Sequence, residues 1–140
     1  MPWQRATSGR GAGVPAALRA AAVVLGCLLL TAVTAFVATV THQGAVTGPG
    51  GVRWPVGLGL ALALTACVGA FLRALGPSLA ARLAALGGWL LVLAWVSSGS
   101  AGEDVLVPAN GRGYAWLFAG LVLLAALLLL PGRVARAARG

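Results

Sequence analysis

Charge is the scarcest property of this sequence. Only 9% of its 140 residues are charged, the ten basic residues include no lysine, and the only acidic residues are Glu103 and Asp104. Soluble domains carry about 25% charged residues, so this chain has too little polar surface to cover a globule in water. Its mean hydropathy of +0.97 also argues against intrinsic disorder, because the chain has abundant apolar area to bury. The composition therefore predicts an integral membrane protein.

Long runs nearly free of ionisable groups mark the predicted membrane spans, since about 30 Å of hydrocarbon needs roughly 20 helical residues at 1.5 Å per residue. The fold class predicted is an all-α bundle of four transmembrane helices, at residues 20–41, 55–72, 79–98 and 114–130. Arg82 lies close enough to the start of the third span for its head group to reach lipid phosphates. The turn at 73–78 is so short that it predicts the second and third spans as adjacent antiparallel helices.

The remaining segments are short. We expect a disordered basic tail at 1–19, a transmembrane domain at 20–130 and a second basic tail at 131–140. No such tail or loop reaches the roughly 40 residues that a chain needs to fold alone, so we expect no extramembrane catalytic domain. Val33-Thr34-Ala35 is also typical of a signal-peptide cleavage site, but the long apolar run favours a retained span.

The arginines predict the orientation, because basic flanks are retained on the cytoplasmic side. Eight of the ten fall on one side of the predicted bundle: Arg5, Arg10, Arg19, Arg73, Arg82, Arg133, Arg136 and Arg139. This places both termini in the cytoplasm of a bacterial plasma membrane. The aromatic residues expected at the outer boundary, where such rings favour the interface, are Trp54, Trp95, Tyr114 and Trp116.

The sequence gives little support for a catalytic site or a metal-binding site. No ionisable residue lies at the middle of a span, where proton relays and ion paths are usually marked. The single histidine, His42, is expected at the outer mouth of span one with no second ligand at zinc-like spacing. Cys27 and Cys67 lie at similar predicted depth and are interpreted as small hydrophobic residues. We therefore expect no enzyme activity, cofactor or metal, and no nucleic-acid binding, because the arginines are spread over short flanks.

The loop between the last two spans holds the only acidic pair, Glu103 and Asp104. These carboxylates could contact a cation or dock a basic partner. Alternatively, they keep a translocated loop solvated and offset the outer arginines.

Small residues indicate where helices approach closely. Ala61, Thr65 and Gly69 follow small-xxx-small spacing in span two, and Thr31, Ala35 and Thr39 form a matching stripe in span one. This face could bind an unidentified membrane protein or a second copy of the chain, or it could serve internal packing. Trp89, near the middle of span three, is interpreted as a packing residue.

The segment from Ser97 to Pro108, with the acidic pair and a short apolar stretch, is followed by Gly113-Tyr114 at the entry to the last span. This arrangement resembles a family of small four-span membrane proteins from actinobacteria, known as a domain of unknown function. The resemblance implies a four-helix inner-membrane protein and supplies no activity. The sequence thus predicts an accessory or structural subunit of a membrane assembly in the lipid bilayer, with a small oligomeric transporter or channel as the alternative.

Overall fold

A computed structural model of the chain describes residues 15–98 and 111–130. Its helices are α1 (Ala16–Thr41), α2 (Val56–Leu75), α3 (Leu79–Ser97) and α4 (Gly111–Leu129). All four are long and apolar enough to cross a membrane, which confirms the predicted all-α four-helix fold. α1 begins at Ala16, so it includes the last four residues of the segment predicted as a tail.

The helix ends follow from local chemistry. The Ser78 hydroxyl accepts a hydrogen bond from the Ala81 N–H at 3.3 Å and caps the start of α3. Gly76 ends α2 in the left-handed conformation at φ +60°, which suits glycine because it has no Cβ. Between α1 and α2, strands β1 (Val46–Thr47) and β2 (Arg53–Trp54) form a short antiparallel hairpin.

Most side chains of each helix are apolar, and many of them point away from the interior of the bundle. Phe118 on α4 is 68% exposed and Leu91 on α3 is 63% exposed, and many other large apolar side chains are as open. A helix that is apolar on every side suits lipid rather than water. The fold is therefore that of a multi-pass membrane protein.

The helices form a four-cornered bundle in which α1 packs against α3 and α2, while α4 packs against α2 and, more loosely, α3. The prediction that the second and third spans are neighbours is wrong, because α2 and α3 stand on opposite corners and make almost no contact. The chain from Leu75 to Leu79 can extend by about 14 Å, and the diagonal of a square with sides of 8–10 Å is about 11–14 Å. The short turn can thus bridge the diagonal.

The α1–α3 contact is the most extensive of the bundle. Thr31 Oγ1 lies 2.6 Å from the Ala85 carbonyl oxygen of α3 and can donate its proton there. A Cβ atom added at Gly88 would collide with the Leu28 carbonyl of α1. Because lipid provides no hydrophobic drive for helices to associate, such backbone proximity is what stabilises a membrane bundle.

We predict that Gly88→Ala destabilises the bundle by about 1–3 kcal/mol, because the added methyl group has to separate α1 from α3. The measurement is unfolding by increasing SDS in mixed micelles. Gly87→Ala is the matched control, since a Cβ there meets no atom within 4 Å, and we expect it to stabilise α3 by up to about 1 kcal/mol. Equal effects of the two substitutions would contradict this account of the contact.

Candidate functional site

The half of the bundle that contains the end of α1 and the start of α4 is the half that the arginines predict to be outer. Polar side chains inside it form a connected group, here called the outer cluster, which consists of Thr39, His42, Gln43, Trp89 and Trp116. Thr39 and His42 come from the end of α1, while Trp89 and Trp116 come from α3 and α4. All of these except Gln43 are buried to 1% exposure or less.

His42, which the sequence predicts at the outer mouth of span one, directly follows α1, and its side chain is fully buried. Its Nδ1 lies 2.5 Å from the Thr39 carbonyl oxygen, and its Nε2 lies 2.6 Å from Gln43 Nε2. A carbonyl oxygen can only accept, so Nδ1 carries the proton and Nε2 accepts from the Gln43 amide. Both ring nitrogens are therefore used within the chain. No simple sequence signal shows this burial, because His42 follows an apolar run at a span boundary.

Trp116 differs from the other boundary aromatics. Trp54, Trp95 and Tyr114 are 60%, 68% and 52% exposed, whereas Trp116 is fully buried. Its Nε1 donates to Thr39 Oγ1 at 3.2 Å, and its ring stacks on His42 with centroids 6.1 Å apart. Trp116 shares a buried face of α4 with Gly113, Gly120, Leu124 and Leu128. The hydrogen bond thus links α4 to α1 across the bundle.

Trp89 packs against Trp116 on the side nearer the middle of the bundle. It is fully buried, and the two indoles lie 5.4 Å apart at their centroids. A Cβ atom at Gly120 would come within 2.7 Å of Trp89 Cζ2, so this glycine makes room for the ring. Among the described residues, Trp89 Nε1 is the buried side-chain polar atom without a hydrogen-bond partner, at a cost of about 1–3 kcal/mol.

The predicted packing face of α2 also lies inside the bundle. Ala61, Thr65 and Gly69 are all buried, and the Thr65 hydroxyl donates to the Ala61 carbonyl at 2.9 Å. A Cβ atom at Gly69 would come within 2.8 Å of Leu127 Cδ1. Around Gly69, this face of α2 therefore packs against α4 of the same chain. The matching stripe of α1, Thr31, Ala35 and Thr39, is buried as well.

The acidic pair and the two cysteines are the other candidates that the sequence offers. Glu103 and Asp104 lie outside the described residues, so their contact with a cation or partner stays a prediction. Cys27 is buried and Cys67 is exposed, and both thiols are free. Within residues 15–98 and 111–130, no group of three or more histidine, cysteine or acidic side chains could hold a metal ion.

We predict that Thr39→Val costs about 1–3 kcal/mol, because it leaves the buried Trp116 N–H without its acceptor. In a double-mutant cycle, Trp116→Phe should lower the free energy of unfolding less in the Thr39→Val chain than in the unaltered chain. The expected coupling energy is at least about 0.5 kcal/mol. The measurement is again unfolding in mixed micelles. Thr41→Val is the matched control, since that hydroxyl bonds only to carbonyls of its own helix. Additive single effects would argue against the link between α4 and α1.

Comparison with known proteins adds no further assignment. No protein-family model matches the sequence, and neither the curated proteins nor the solved structures give a match.

Proposed function

We propose that this membrane protein is a non-enzymatic accessory or structural subunit of a membrane assembly. In this proposal it resides in the bacterial plasma membrane with both termini in the cytoplasm, as the arginine distribution predicts. The observation that carries the proposal is the burial of two large side chains inside the bundle, where Trp89 near the middle of α3 and Trp116 in the first half of α4 have no exposed surface.

The interior polar groups support a packing role. Thr31 bonds across to α3, Thr65 bonds within α2, and Thr39 accepts from Trp116. His42 uses both of its ring nitrogens on neighbouring groups. A transport site needs polar atoms that are free to bind a substrate or an ion, whereas these groups are bonded within the chain, and the bonds of Thr31 and Thr39 join different helices.

A small oligomeric transporter or channel is the second candidate. With this interior, a path for solutes would run between copies of the chain rather than through one bundle. The resemblance to the actinobacterial four-span family agrees with either role, because that family supplies a membrane location and no activity.

We expect interior positions to be closed to water in intact cells. In a chain whose two cysteines are replaced by serine, Thr31→Cys and Thr65→Cys should not react with a membrane-impermeant maleimide, because both native side chains are fully buried. Ser98→Cys, at the exposed outer end of α3, should react. All three variants should react equally in SDS, which controls for the reactivity of each thiol.

Labelling of Thr31→Cys or Thr65→Cys from water would contradict the packing role and favour transport. Labelling of Ser98→Cys only in inverted vesicles would reverse the proposed orientation. For the assembly itself, chemical cross-linking in native membranes followed by purification should retain a second protein at a fixed ratio. Recovery of the uncross-linked chain alone would contradict membership in an assembly.

A further inference from the structure

Two arginines from different helices meet at the inner end of α4. Arg73 lies in the last turn of α2, and its Nη1 donates to the Leu127 carbonyl at 3.1 Å. Arg82 lies in the first turn of α3, and its Nη1 donates to the Leu128 carbonyl at 3.2 Å. Both side chains are half-buried. Arg73 and Arg82 are here called the arginine pair. They reach the same helix end because α4 packs against both α2 and α3.

The arginine pair places two positive charges at the same end of α4. The two accepting carbonyls belong to consecutive residues, whose Cα atoms are about 3.8 Å apart, so the bonded nitrogens lie within about 10 Å of each other. The partial negative charge at the end of α4, about half an elementary charge, offsets only part of their two positive charges. The only acidic side chains of the sequence, Glu103 and Asp104, belong to the segment that joins the opposite ends of α3 and α4.

Donor capacity remains at both guanidinium groups. Each guanidinium group has five N–H donors. Arg73 uses one of them in a hydrogen bond to a described residue, and Arg82 uses two. The remaining donors suit an oxyanion with several acceptor oxygens, because guanidinium groups match phosphate geometry in a bidentate manner.

The surroundings of the arginine pair indicate the source of that oxyanion. Arg73 and Arg82 lie about 3–5 Å along the helix axis from the nearest helix end, at 1.5 Å per residue. In a bundle that spans the bilayer, the long side chain of an arginine at this distance from a helix end reaches the lipid head groups. Large apolar side chains beside them face outward: Leu75, Leu79 and Leu130 are each at least 60% exposed. A ligand that fits both features has an anionic head and acyl chains.

We propose that the arginine pair binds the phosphate group of an anionic phospholipid at the inner corner formed by α2, α3 and α4. The lipid supplies negative charge beside two arginines that have no acidic side chain among the described residues, and its acyl chains cover the outward-facing leucines. Basic pockets between membrane helices on the cytoplasmic side are a recurrent way to bind such lipids. This inference is independent of the role proposed above, since either a structural subunit or a transporter could hold the lipid.

Native mass spectrometry of the full chain in detergent tests the site with three probes: phosphatidylglycerol, phosphatidylcholine and inorganic phosphate. We expect phosphatidylglycerol to bind about tenfold more tightly than phosphatidylcholine. Arg73→Gln and Arg82→Gln should each weaken phosphatidylglycerol binding about tenfold, because each removes a charge-assisted contact. Arg53→Gln removes the same charge from the exposed hairpin and should leave binding unchanged.

Equal binding of the two lipids, or equal loss in Arg53→Gln, would overturn the proposal. Binding of inorganic phosphate as tight as that of phosphatidylglycerol would show a free-anion site and overturn the lipid assignment. Because the glutamine variants also lose bonds to α4, a measurement on the unaltered chain complements them. Phosphatidylglycerol should protect Arg73 and Arg82, but not Arg53, from modification by phenylglyoxal, and absence of this protection would overturn the site.

Discussion

The structure depends on close backbone contact between α1 and α3. A bilayer gives apolar helices no hydrophobic reason to associate, so packing and internal hydrogen bonds have to hold them together. Gly88 allows α3 to reach the Leu28 carbonyl of α1, and Thr31 bonds the Ala85 carbonyl beside it. α1 also packs against α2, which stands on the corner opposite α3, and α4 packs against both α2 and α3.

The polar side chains of the bundle hold α4 at both ends. Near its start, Trp116 donates to Thr39 of α1, and at its end Arg73 and Arg82 donate to the last carbonyls of the helix. These bonds also meet the need of a membrane protein to satisfy its polar groups internally. A bundle whose helices are bonded to each other and whose exterior is apolar suits a structural role, and an anionic lipid beside Arg73 and Arg82 would join α2, α3 and α4.

The sequence predicts the spans well because span length and hydropathy are fixed by the bilayer. It predicts the helix arrangement poorly, since each helix is apolar on all sides. The small-residue stripes of α1 and α2 lie on buried faces, but a stripe does not show which helix packs against it. Gly87 and Gly88 are adjacent and chemically identical, yet only a Cβ at Gly88 meets another helix. Trp116 and Tyr114 are two residues apart on α4, yet only Trp116 points inward. The short turn after α2 could not distinguish neighbouring from diagonal helices, because its reach covers both separations.

Disulfide cross-linking in membranes tests the diagonal arrangement most directly. Phe36 on α1 and Trp95 on α3 lie 6.5 Å apart at their ring centroids on the outer half of the bundle, and Leu60 marks the outer half of α2 on an exposed position. In a background free of other cysteines, the pair Phe36→Cys and Trp95→Cys should cross-link rapidly, and the pair Leu60→Cys and Trp95→Cys should not. Cross-linking of the second pair without the first would place α3 beside α2 and contradict the arrangement on which the account depends.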